Sequence, residues 1–128
     1  EMREDGIEFG AHTRNHVLLD KADRETARRE IEGSRHEVEE GTGQEVVSFA
    51  YPWGASDAYV RACVRDVGFR CAVGVQPGSV FARSAIWLLP RIFVADSVAR
   101  GPEGGFAART FALYLAARCR AGAQGAGA

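Results

Sequence analysis

The 128 residues are 46% hydrophobic, with 16 Lys+Arg against 17 Asp+Glu and a formal net charge of −1. That length and apolar content suit one small domain with a real core and exclude a wholly disordered chain. The charge balance offers no electrostatic ground for a nucleic-acid or anionic-membrane partner, and no apolar run approaches the ~20 residues that span a bilayer.

Taken in chain order, residues 7–11 (Ile-Glu-Phe-Gly-Ala) read as a short strand and residues 17–21 as a loop. Residues 22–40 are strongly helical, with Ala27, Ile31 and Val38 on one face of a 3.6-residue period and Gly33 as the one internal glycine. Asp23 and Glu25 suit the positive end of that helix, and Gly41 and Gly43 end it. Its many charges make a solvated face, on which His36 is a surface residue. Residues 46–50 form a short apolar run of the kind found in buried parallel strands. Residues 51–54 (Tyr-Pro-Trp-Gly) are a loop.

Ser56 or Asp57 can cap a helix reaching about residue 67, with Val60, Cys63, Val64 and Val67 facing inward and Gly68 closing it. A third strand is expected over residues 69–75, a turn at 76–78, and a fourth strand over 86–94, where Pro90 marks an edge or a bend. After a Gly/Pro loop at 101–105, a last helix covers 106–118, and 121–128 read as a disordered Ala/Gly tail to a domain of residues 1–120. Cys63, Cys71 and Cys119 are an odd set without CxxC spacing, which argues against a zinc ribbon or a disulfide framework and for free thiols. Strands alternating with helices define a mainly parallel α/β arrangement. Four strands are too few to close a barrel, so the unit looks like part of something larger.

The chemistry concentrates at His12 and His16, four residues apart just after the first strand. Imidazoles at that spacing can point the same way across a turn, and imidazole is a common zinc ligand. On spacing alone, two solvated histidines in a polar loop are the simpler reading.

The run Gly6-Ile7-Glu8-Phe9-Gly10-Ala11-His12-Thr13-Arg14-Asn15-His16 resembles the histidine motif of the polysaccharide deacetylases, the NodB-homology carbohydrate esterases. Glu30-Ile31-x-x-Ser34 matches the helix that usually follows. Phe49-Ala50-Tyr51-Pro52-Trp53-Gly54 resembles the next motif, Val67-Gly68-Phe69 the next helix end and strand, and Leu89-Pro90-Arg91-Ile92 the closing strand of the exopolysaccharide branch. The resemblance implies a portion of a distorted (β/α) barrel and a hydrolysis, the removal of N- or O-acetyl groups from a polysaccharide or oligosaccharide by metal-activated water. It makes His12 and His16 metal ligands, with zinc the first choice of divalent ion. The Trp53 backbone N–H becomes an oxyanion donor, and Tyr51, Pro52 and Trp53 line the substrate.

The sequence also departs from that pattern. None of its six aspartates is adjacent to another, so the Asp-Asp motif that carries the base and the third ligand is not among these residues. Ala50 stands where the family has an arginine, and Arg91 is the candidate to take over as partner of the base. No histidine follows His36, leaving the family's general acid unfilled. The expected protein is therefore the C-terminal part of a larger metal-dependent deacetylase, in the cell envelope or outside the cell by family habit. The alternative is an inactive relative that binds carbohydrate or a partner protein through Tyr51, Trp53 and Trp87. A purely structural two-histidine metal site is a third reading.

Overall fold

The computed structural model describes residues 6–81, 84–101 and 104–123. Helix α1 (Arg24–Thr42) starts where the Asp23 carboxylate accepts the Thr26 N–H at 2.8 Å. It ends at Gly43, whose φ of 67° turns its N–H back to the Glu39 carbonyl, a left-handed cap that glycine adopts without a Cβ clash. Strand β1 (Ser48–Ala50) runs into a tight 3-10 turn at Pro52–Gly54. Helix α2 (Ala58–Asp66) is capped by Asp57, which accepts the Val60 N–H at 2.8 Å, and leads to strand β2 (Cys71–Val73). Two further helices follow, α3 (Asp96–Ala99) and α4 (Ala108–Ala123).

β1 and β2 pair in parallel, Ser48 against Cys71, Phe49 against Ala72 and Ala50 against Val73. α2 is the crossover that such a pair requires. Single parallel bridges extend the sheet on both sides, Ala11 to Phe49 and Val73 to Leu89. The spatial order is therefore residue 11, β1, β2, residue 89, the four parallel tracks expected from the sequence, although only the central two are full strands.

The outer two shrink for local reasons. A track with a neighbour on one side alone keeps half its ladder, and Ile7 at its start is exposed. Beyond Leu89, Pro90 has no N–H to donate. The reading of 86–94 as one strand is thus corrected to a bridge. α3 has no counterpart among the elements expected from the sequence, and α4 runs three residues into the stretch read as tail; alanine's helix propensity carries it there. Residues 124–128 lie outside the described residues.

The described residues fall into two compact units. The first runs to Gly74 and takes in Ser84–Leu89; the second holds the rest. The first unit owns the core: Phe49, Tyr51, Val46, Leu19, Ile31, Val60, Val64 and Phe69 are all buried, with the Phe49 ring 5.3 Å from that of Tyr51 and 5.2 Å from that of Phe69. The three cysteines are free. Burial pushes the Cys63 thiol up, as expected of an inert core cysteine.

Candidate metal centre

Two loops meet at the C-terminal ends of the first two sheet tracks, the usual place for a site in a parallel sheet. One holds residues 12–16, which follow the bridge at Ala11. The other holds residues 51–54, which follow β1. The connection is specific. Ala11 donates to the Ser48 carbonyl at 3.0 Å and accepts from Ala50 N at 2.9 Å, so the backbone just before His12 lies beside the end of β1.

From there His12 Nδ1 lies 2.7 Å from the Ala50 carbonyl oxygen. A carbonyl only accepts, so Nδ1 carries the proton and Nε2 keeps its lone pair. In the neutral ring that leaves Nε2 able to ligate a metal, and a backbone carbonyl is the kind of partner metal-bound histidines usually have. The His12 and His16 ring centroids are 4.8 Å apart, edge to face, and His16 is 5.6 Å from the Trp53 ring. The expected metal pair and the expected oxyanion loop are thus neighbours.

The backbone is bent to achieve this. Among the described residues the non-glycine positions with positive φ are Thr13 (59°), His16 (53°) and Trp53 (56°), all three in these two loops. Such a conformation costs about 1–3 kcal/mol per residue and collects at functional sites. The Thr13 hydroxyl adds to the cost, being buried with no hydrogen-bond partner in the described residues.

Tyr51 and Pro52 behave differently from the expectation that they line a substrate groove. Tyr51 is fully buried; its hydroxyl donates to the Trp87 carbonyl at 2.9 Å, and burial pushes its pKa up to about 12. Pro52 is buried too. Both are core residues that hold the turn, because the ring of Tyr51 points back under the sheet against Phe49. Trp53, at 72% exposure, is the residue of this loop that offers a flat face to solvent. Arg91 belongs to the second unit, where its backbone N–H donates to the Gln76 carbonyl at 2.9 Å. His36 is on the exposed face of α1, 3.8 Å from Glu40.

Sequence reasoning assigned Glu30 no chemical role. The structure buries it to 7% exposure on α1, with Oε2 accepting the backbone N–H groups of Arg14 (2.9 Å) and Asn15 (2.8 Å) and Oε1 accepting Asn15 Nδ2 (2.6 Å). Burial pushes this carboxyl up. The hydrogen bonds from Asn15 and Arg14, with the Arg14 charge, outweigh it and hold the pKa below the ordinary value. A glutamate spaced to fall on the buried face of α1, beside Ile31 and Ser34, was the available signal.

The donors of this pair are of the kind that can hold a divalent metal. Two imidazoles on one side, one of them with Nδ1 on a backbone carbonyl, could supply two positions of a zinc-type set. No group of three His, Cys, Asp or Glu side chains placed to hold a metal occurs among the described residues.

A parallel α/β sheet with paired histidines at a strand end defines the class of protein. The family model for polysaccharide deacetylase matches residues 1–72, more than half of the chain, and the chain belongs to that family. Solved structures agree on the fold. A Streptococcus pyogenes deacetylase, PplD, solved in complex with acetate, superposes with a TM-score of 0.69 at 24% identity, over 71% of this chain and 40% of that one. BC0361, a polysaccharide deacetylase from Bacillus cereus, gives 0.71 at 22% identity, over 89% and 34%. The putative polysaccharide deacetylase BA0330 from Bacillus anthracis gives 0.64 at 25% identity, over 71% and 29%. The chain thus spans less than half the length of each. Comparison with curated proteins gives no match.

Proposed function

We propose that this chain forms the histidine-bearing part of a metal-dependent deacetylase acting on N- or O-acetyl groups of a polysaccharide, in the cell envelope or outside the cell. The observation that carries the reading is the 2.7 Å contact of His12 Nδ1 with the Ala50 carbonyl, which frees Nε2 beside His16. Family membership supports it. So does the S. pyogenes relative, a deacetylase in complex with acetate, since acetate is the product such a reaction would release.

His12 and His16 are the residues that would hold the ion, zinc first. Bound there, such an ion supplies Lewis acidity and a water acidified towards neutral pH. His12 keeps its proton on Nδ1 and its ring fixed. The Trp53 N–H, at the left-handed turn after Pro52, is the proposed donor to the developing oxyanion, and its exposed indole is the proposed sugar platform. Arg91 is proposed from the sequence alone as the ion-pair partner of the base.

Zinc is expected to raise the melting temperature of this chain in a concentration-dependent way, and His12→Ala or His16→Ala to abolish the effect. Identical melts with and without zinc would count against the metal reading. In a longer chain that includes the Asp-Asp motif, acetate release from acetylated chito-oligosaccharides is expected to stop with a chelator.

The second reading, a non-catalytic carbohydrate-binding relative, draws on Ala50 in place of arginine and on the exposed Trp53. Oligosaccharide binding without acetate release in that longer chain would favour it.

A further inference from the structure

We infer that one face of α1, formed by Glu30, Gly33 and Glu37, is the clamp that sets the geometry of the His12–His16 pair, with Glu30 as its positioning residue. The inference rests on the metal reading above. Positions 30, 33 and 37 fall on one side of a helix, and each grips the same short segment. Glu30 takes both backbone N–H groups of residues 14 and 15 and the Asn15 side chain. Gly33 lets the Arg14 side chain lie against the helix, where a Cβ would come 2.4 Å from Arg14 Cδ. Glu37 then receives the end of that side chain, at 2.7 Å from Nε and 2.5 Å from a terminal nitrogen.

The clamped residues lie between the two ligands. Thr13 and His16, with φ of 59° and 53°, bracket the pinned pair Arg14–Asn15, so the segment leaves and re-enters the site through two left-handed residues. Without Glu30 two adjacent backbone donors lose their acceptor, and the strained path is left with the Arg14 side chain on Glu37 as its tie to the helix. His12 has its own tether, the Ala50 carbonyl. His16 touches its neighbours through ring contacts with His12 and Trp53. Its placement therefore depends on the backbone that Glu30 holds. A mid-helix glycine in an otherwise strong helix former has its packing reason here.

The test uses this chain with Co2+ as probe, read by calorimetry and visible absorption, with the imidazole nitrogen shifts as a metal-free readout. Glu30→Gln keeps the volume but removes the charge and leaves one acceptor oxygen where the segment uses two. It is expected to weaken Co2+ binding about tenfold or more and to blur the His12 and His16 nitrogen signals into mixed tautomers. Gly33→Ala raises helix propensity while displacing Arg14. It is expected to leave the melting temperature unchanged or higher and yet to weaken Co2+ binding, a split that a merely structural role would not produce. Native Co2+ affinity and native imidazole spectra in both variants would overturn the clamp. If Glu30→Gln does not fold, Gly33→Ala decides alone. If the native chain binds Co2+ no better than His12→Ala, the metal reading has failed instead. The clamp is then judged by whether Glu30→Gln loses the imidazole signature and the slow amide exchange of Arg14 and Asn15.

Discussion

Tyr51 and Trp53 are two residues apart, and they divide the work of their loop. Tyr51 is sealed under the sheet and bonded to the Trp87 carbonyl, while Trp53 stands out from a strained turn beside His16. The hydroxyl of Tyr51 is thus a structural donor. Tyr51→Phe is expected to cost about 1–2 kcal/mol, because a carbonyl is left without its partner, measured by urea denaturation, with the proposed oligosaccharide binding unchanged. Trp53→Ala should do the reverse, leaving stability within about 0.5 kcal/mol because the side chain is exposed. Weakened sugar binding with unchanged stability in Tyr51→Phe would reverse this division. The aromatic pair was visible in the sequence, but its division was not. Alternation along a strand decides which side chain points inward, and the 3-10 turn after β1 interrupts that alternation.

At the scale of the element, α1 braces the segment that carries His12 and His16, and three carboxylates tie it down. Asp23 is held below its ordinary pKa by hydrogen bonding from Thr26, and Glu39 by the Val46 N–H and then by Arg35. Glu30 is held low in the way described above. A group whose pKa is depressed on folding stabilises the fold above its unfolded value, and that contribution is lost as pH falls through the folded value. All three shifts have this sign, so the helix is expected to hold its full stability from neutral pH to just above the ordinary carboxylate range, about pH 4–5, and to lose it below. Melts of helical circular dichroism across that range check it, and a melting temperature flat down to about pH 2 would contradict it.

The helix itself was legible, to within two residues at each end, because capping residues and apolar spacing are local signals. Its use as a clamp was not. It depends on which residues of a loop 15 or 16 positions upstream come to lie against Glu30.

For the whole molecule, the core of the first unit converges on Phe49, which is in register with Ala72, bridged to Ala11, and in ring contact with Tyr51 and Phe69. Phe49→Ala is expected to cost about 3–5 kcal/mol. Since β1 also carries the Ala50 carbonyl that orients His12, the proposed zinc-dependent stabilisation should be lost together with the fold. Retained zinc-dependent stabilisation in this variant would show that the site does not need its sheet.

The parallel α/β class, helices α1 and α2 with their caps, the strand that the structure narrows to 48–50 and the histidine pair were determined by the sequence itself, because periodicity, capping chemistry and a dense motif act over a few residues. The tertiary structure alone decided the rest. It turned His12 to present Nε2, put Tyr51 inside and Trp53 outside, reduced the outer strands to single bridges, and set Glu30 beneath the site. Each of those is a contact between segments distant in the chain. A hydrogen bond across 15 or 38 positions is fixed by how sheet and helix pack, which no local pattern encodes.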